Sequence, residues 1–417
     1  MSTPMAKFFI YIALISPLII TRGLFFPFIT GKVLLFRTAT ELALLFFLLE
    51  LFFLSKKYNW KNVLSQPLFL SVSVFIALFV ITSFTAFNPT IAFWSNFERA
   101  EGAWQMIHYF VFFALTTIIF KSKSDWKKLL AWQVAVSSAI ALYGLAQTLK
   151  IGGQFIVSPG PISGTLGNSS YLSIFMVFGL FFIIWLLFEE KNRYIKMFLY
   201  LSGLLHIFML FQTETRATFL AIAIGIISAA LLAMWRLHKR HKHKFSQKIL
   251  ALCYAGVFIT VLLIALVTVT FISNIRGGDA YNALLPRFWT WGSALSGFLE
   301  KPILGWGAEN FPYVFDKYYN ANHYGIESWF DRTHNIFLEY LISGGLALLS
   351  AYLSIFYFLF KGLIRLQKDD DWFWPIFISM PIIYLINGLT LFEVLPIYLN
   401  LFLFLAFFIN YKLEFQT

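Results

Sequence analysis

What most constrains this chain is the recurrence of apolar runs long enough to cross a bilayer. A helix of about 20 apolar residues spans the roughly 30 Å hydrocarbon layer, and runs approaching that length follow one another from end to end. Inside lipid every backbone N–H and C=O needs an internal partner, so only helices or closed β-barrels can span it. Barrel strands alternate apolar and polar residues; VFGLFFIIWLLF (177–188) shows no alternation. The fold class is therefore all-α and polytopic. Composition agrees, since 12% of residues are charged against 59% hydrophobic and 20% aromatic, where soluble domains carry about 25% charged residues. A soluble enzyme, a disordered chain and a coiled coil are excluded. The lone Cys253 lies in an apolar run and leaves no disulfide framework or cysteine metal site within one chain.

Apolar runs between charged or Gly/Pro breaks predict about twelve transmembrane helices in a single integral membrane domain over residues 1–417. They fall near 8–21, 33–54, 68–86, 104–120, 127–149, 171–188, 194–212, 217–235, 249–273, 335–360, 372–390 and 394–411. No small-residue cleavage pattern follows the first, which reads as an uncleaved span. Twenty-one of the 32 Lys and Arg residues fall on the N-terminal side of the membrane, ten on the other, and Arg37 within the second span. Basic connections stay cytoplasmic, so both termini are expected inside a bacterial cytoplasmic membrane. The net charge of +12 suggests nucleic acid in a soluble protein. Here its main cluster, WRLHKRHKHK (235–244), sits between two spans on the inner side and reads as a topology anchor on anionic membrane lipid.

Residues 274–334 are predicted to form one large ordered extracytoplasmic loop, because they are rich in Trp, Tyr, Phe, Gly and Pro. Within it Phe288, Trp291, Leu295, Phe298 and Leu299 repeat at helical spacing, which predicts an interfacial helix over 287–301 ended by Lys301-Pro302.

The outward polar residues form a short list of site candidates. Glu98, Arg99 and Glu101 precede the fourth span, and the Gly-rich loop 158–171 ends in an Asn-Ser-Ser cap for the sixth. Glu214 and Arg216 share a short connection held at the membrane surface, where they could pair with each other. Arg287, which follows Pro286, is read as starting the interfacial helix, so that a bound anion would also feel the helix N-terminus. Asn310 follows the Gly305/Gly307 turn, and DRTHN (331–335) brings His334 and Asn335 to the start of the tenth span. Glu393 stands between the last two spans. Isolated outer arginines such as Arg22 and Arg276 read as snorkelling, His108 and His206 as packing or interhelical hydrogen bonding, and His323 as a solvated loop residue.

Arginines with one histidine on an outer face suit a lipid diphosphate. Arg grips phosphate oxygens bidentately and stabilises a diphosphate leaving group. Histidine can take the proton of an incoming hydroxyl near neutral pH. No Asp-x-Asp pair occurs in an outward loop, so these residues do not call for a divalent metal.

Over residues 85–365 the chain resembles the O-antigen ligase and polymerase family of bacterial membrane glycosyltransferases. The likeness lies in NPTIAFWSNFERAEG (88–102), GTLGNSSYLSIF (164–175), TETRATFLA (213–221), and the central-loop signature RFWTWGSALSGFLEKPILGWGAENF (287–311) with DRTHNIFLEYLISGG (331–345). This resemblance implies a GT-C-like fold and transfer of a glycan from an undecaprenyl-diphosphate carrier to a glycolipid, glycan or protein hydroxyl at the outer face, without nucleotide sugar, ATP, cofactor or metal. By motif, Arg216 and Arg287 correspond to diphosphate-binding arginines and His334 to the catalytic base. Arg99, Glu98, Glu101, Glu214, Asn310, Asn335 and Glu393 are possible supporting residues. Ligase, polymerase and protein O-oligosaccharyltransferase share these motifs. The reading from a different class is a lipid or polysaccharide transporter or flippase, which would place ionisable residues at the midplane in broken helices.

Overall fold

The computed structural model describes residues 4–53, 60–96, 98–152, 161–240, 279–365 and 373–414. Among them all regular structure is helical: α1 (Pro4–Ile15), α2 (Thr30–Phe53), α3 (Lys61–Leu64), α4 (Pro67–Phe84), α5 (Pro89–Trp94), α6 (Ala103–Ile119), α7 (Lys123–Thr148) and α8 (Ser169–Glu189), followed by α9 (Arg193–Gln212), α10 (Arg216–Arg240), α11 (Asp279–Glu300), α12 (Phe311–Lys317), α13 (Ile336–Arg365), α14 (Trp374–Asn387) and α15 (Leu395–Glu414). Two 3-10 turns, Ser16–Leu18 and Ala321–His323, complete them. A helix stands at each expected span except 249–273, which lies outside the described residues. Seven of the described helices, α4, α7, α8, α9, α10, α13 and α15, are long and apolar enough to cross a membrane. α1 with its 3-10 turn, α6 and α14 are apolar but shorter, and α2 carries Lys32, Arg37, Glu41 and Glu50.

Burial separates inner helices from outer ones. α15 has 89% of its apolar window buried, α10 only 22%. On α9 a row of large apolar side chains, among them Phe198, Leu201, Leu204 and Phe208, is exposed, a surface suited to contact with lipid. α15 is instead sealed by rings. Phe407 stacks on Phe377 at 5.5 Å and meets Trp185 edge-on at 4.9 Å. Both histidines inside the bundle bond between helices: His206 meets Ser137 Oγ at 2.8 Å and His108 meets Glu41 at 2.9 Å, as expected for both.

α13 is interrupted at Gly344 and Gly345, whose backbone leaves the helical region. The segment 302–307 enters the gap: Trp306 N donates to Ile342 O at 2.7 Å, Gly307 N to Ser343 O at 2.9 Å and Leu346 N to Pro302 O at 2.8 Å. A Cβ on Gly305 would lie 2.4 Å from Ile342 O, and one on Gly345 would lie 2.3 Å from Ile303 O. Both glycines have positive φ, so side chains are barred there by contact and conformation together. This crossing locks the segment 279–334 onto the bundle.

Two expectations about that segment need correction. α11 begins at Asp279 and carries Pro286 in its interior, so Arg287 lies in mid-helix and feels no exposed N-terminus. Proline favours a first helical turn but is tolerated further in when the lost hydrogen bond is compensated. His323 is not solvated; it is fully buried. Its ring packs against Phe315 at 5.0 Å and Trp289 and Phe330 at 5.3 Å, and Nδ1 bonds Glu327 O at 3.1 Å. The loop aromatics gather into a second apolar cluster with Ala294, Trp306, Phe311, Val314 and Ile342, and His323 is enclosed by them.

Candidate functional site

The site grows from the turn that starts α13. Asn335 caps the helix, its Oδ1 accepting from Phe337 N at 3.0 Å and Leu338 N at 3.3 Å. One residue earlier, His334 takes φ +53°, a left-handed conformation that an ordinary side chain adopts only when its surroundings impose it. Those surroundings are polar and buried. Arg332 bonds Glu309 and, at 2.7 Å, Glu339. The other oxygen of Glu339 accepts from Thr333 N at 3.1 Å and Thr333 Oγ1 at 3.0 Å. Burial alone would weaken the proton affinity of the Arg332 guanidinium, but its carboxylate partners outweigh that and hold it firmly charged. Burial pushes Glu309 up against the pull of Arg332.

This scaffold presents His334 in one orientation. Its ring is clamped edge-on between Phe392 at 5.1 Å and Phe330 at 5.5 Å. Nδ1 lies 3.1 Å from the carbonyl of Arg332. A carbonyl only accepts, so in the neutral ring Nδ1 carries the hydrogen and Nε2 keeps the lone pair. Burial lowers the His334 pKa, opposed by that same bond. The imidazole is therefore neutral near pH 7, with a free basic nitrogen.

Around it opens a cavity of about 360 Å³. Its polar lining includes His334, Arg287, Arg99, Glu101, Asn168 and Lys32, and its apolar side includes Phe28, Ile29, Leu391 and Leu395. Arg287 reaches it because Trp291, one turn further along α11, donates Nε1 to Thr333 O at 2.9 Å. That bond ties the arginine's helix to the histidine's turn. Burial pulls the Arg287 pKa below its ordinary value, with Glu327 opposing. Arg99 differs: its Nε donates to Asp331 Oδ2 at 2.5 Å, its Nη2 lies 3.4 Å from Glu98, and the guanidinium stands 5.2 Å over Phe392. Burial raises Asp331, yet Arg99 outweighs it and the carboxyl stays below its usual range.

The remaining candidates divide. Glu101 lines the cavity but is buried and accepts from Tyr109 Oη at 3.1 Å, and burial raises its pKa well above the usual carboxylate value. Glu393 lies behind, in a pocket of about 20 Å³ shared with Glu101, Arg332 and Glu339. It accepts from Tyr384 Oη, and burial raises it to about 8. Asn310 fastens the segments that lead into α5 and α12, accepting from Asn88 N at 2.9 Å and donating to Ala308 O at 2.8 Å. Arg216 opens α10, half-buried, and is not among the cavity-lining residues. Glu214 is exposed with φ +52°, and no ion pair joins it to Arg216 among the described residues. The predicted Asn168 cap is present, accepting from Ser170 N at 2.8 Å.

Sequence reasoning missed Lys32, Glu309, Glu339, Trp291 and Phe392. A signal existed for Glu339, since an acidic residue in the first turn behind DRTHN could have been paired with its arginine. None existed for Lys32, which had counted only as an outer-side charge.

A family model described as O-antigen ligase matches residues 201–353, a stretch that contains Arg216, Arg287 and His334. The resemblance to that family is borne out over this stretch, and its members are membrane enzymes of the glycosyltransferase type. No curated protein matches the chain.

Proposed function

We propose that this chain transfers a glycan from an undecaprenyl-diphosphate carrier to an acceptor hydroxyl at the outer face of the bacterial cytoplasmic membrane, in the manner of an O-antigen ligase. The observation that carries this reading is one cavity lined by both His334 and Arg287, with His334 Nδ1 engaged by the Arg332 carbonyl so that Nε2 is left to accept a proton. The acceptor hydroxyl attacks the anomeric carbon as His334 Nε2 takes its proton. The bond from that carbon to the diphosphate oxygen breaks, and the electron pair leaves with the diphosphate. Arg287 offers a forked donor to the charge that develops there. Arg216, at the head of α10, is the second diphosphate ligand in this reading. Arg99, held by Asp331, and Phe392 form the cavity wall that positions His334, and the apolar side accepts the first isoprenoid units.

A lipid or polysaccharide carrier has one feature in its favour, the interrupted helix α13. That interruption is filled by the backbone of 302–307 and offers no passage, so the reading of surface chemistry is preferred. Extraction of lipid-linked glycans from a deletion strain tests the proposal. Accumulated long chains indicate a ligase, and single unpolymerised units a polymerase. Long chains that vanish only from a surface protein indicate a protein glycosyltransferase. An unchanged lipid-linked pool together with unchanged surface glycan overturns the proposal.

A further inference from the structure

Lys32, in the first turn of α2, is a buried amine with no carboxylate partner among the described residues. It is 2% exposed and lines the same cavity as Arg287 and His334. Its ammonium donates to Ile19 O at 2.6 Å and Thr165 O at 2.7 Å. Three donors are available on an ammonium, and the third has no protein acceptor among the described residues. No carboxylate offsets the charge, a strongly unfavourable arrangement for an ion removed from water.

The surroundings hold that ammonium in place. Thr165 Oγ1 donates to Pro17 O at 2.7 Å and Gly164 N donates to Gln147 Oε1 at 2.8 Å, so the two segments that supply the carbonyls are fastened to each other and to α7. Gly167, at φ +78°, lies against Phe28, where a Cβ would come within 2.8 Å of the ring. Only glycine lets this loop close over the ring that walls the cavity beside Lys32. The ammonium lies 5.8 Å from the centroid of the Phe28 ring, and Ile29, Val33 and Leu166 line the same cavity. A cation with one open donor, bordered on one side by apolar rings and aliphatic chains, suits an anion that carries a hydrocarbon tail.

We propose that Lys32 binds a phosphate oxygen borne on a lipid, in the cavity that Arg287 also lines. This rests on the proposed function for the source of that phosphate, the head of the polyprenyl carrier. The bland reading is that Lys32 merely clips two loops together through its carbonyl bonds.

The test uses the full chain in phosphatidylcholine nanodiscs, with undecaprenyl diphosphate or phosphatidylglycerol added as probe. Binding is read by intrinsic fluorescence and by the ligand-induced rise in melting temperature. Lys32→Met is expected to weaken undecaprenyl diphosphate binding at least about tenfold while the ligand-free melting temperature holds or rises, because an uncompensated ammonium gives way to an apolar chain of similar length. Should Lys32→Met fail to accumulate, Lys32→Gln decides. Its amide keeps two N–H donors, one bond closer to the backbone, but has no charge, so the same loss of affinity is expected. If either variant binds like wild type, or if its ligand-free stability falls with affinity unchanged, the proposal is overturned in favour of the clip. A wild-type protein that ignores undecaprenyl diphosphate but binds phosphatidylglycerol through Lys32 keeps this inference and refutes the proposed function. Binding of neither probe overturns the Lys32 assignment.

Discussion

Glu339→Gln probes whether the turn that presents His334 is held from behind. Glu339 is buried and uses both oxygens, one for Arg332 Nη1 at 2.7 Å and the other for Thr333 N at 3.1 Å and Thr333 Oγ1 at 3.0 Å. An amide of the same shape has one accepting oxygen and one NH2 group that only donates. If its oxygen faces Arg332, the Thr333 N–H points at another donor; if it flips, the guanidinium does. One buried donor is orphaned either way, which costs about 1–3 kcal/mol, and the surviving bond to Arg332 loses its charge-assisted character, roughly another 1 kcal/mol. The expected destabilisation is therefore about 2–4 kcal/mol, measured by equilibrium unfolding of the purified chain in mixed micelles. Glu339 is not among the residues that line the main cavity, so its effect on transfer must pass through the position of His334. Since a displacement of about 1 Å can cost on the order of 10²-fold, kcat should fall at least about tenfold while KM for the lipid-linked donor changes little. Full activity with stability within about 0.5 kcal/mol of wild type would refute the claim that Glu339 holds this turn.

His334→Gln keeps hydrogen-bonding capacity but cannot take a proton, so it should lose about 10²–10⁴-fold in transfer, as His334→Ala does, with donor binding retained; near wild-type turnover would move the base to an outer carboxylate. Burial lowers the His334 pKa and the neutral ring is the active form, so kcat/KM should hold as pH falls to 6.5 and decline only below it. An acid limb centred above 6.5 would contradict the burial assigned to that ring. Arg287→Lys and Arg216→Lys should each impair transfer, because a point-charge ammonium lacks the guanidinium fork; retained activity in both would reduce them to helix anchors. With Cys253 removed, single cysteines at positions 240 and 320 should label only from the cytoplasmic and only from the outer side respectively, and the reverse pattern would place His334 away from any outward-facing lipid carrier.

Hydropathy and periodicity are local properties, and what depended on them could be read directly. The helices, the Asn168 cap and the end of α11 at Lys301-Pro302 follow from residues within one or two turns of each other. That His334 and Arg287 belong to one polar cluster of candidates was suggested by their residue types, because a histidine and an arginine limit what a site can do. Their meeting was not. It depends on Trp291 reaching Thr333, 42 residues away, and on Phe392 closing the other side of the imidazole. The start of α11 was misread because proline marks a first turn statistically while packing here carries the helix through it. His323 looked polar in sequence and is enclosed by rings that only the folded loop assembles. Lys32 shows the limit most clearly. Its acceptor at Thr165 is 133 residues away, and no local pattern distinguishes a lysine that snorkels to water from one that tertiary packing leaves facing a cavity, because burial of a charge is decided by which distant segments close over it.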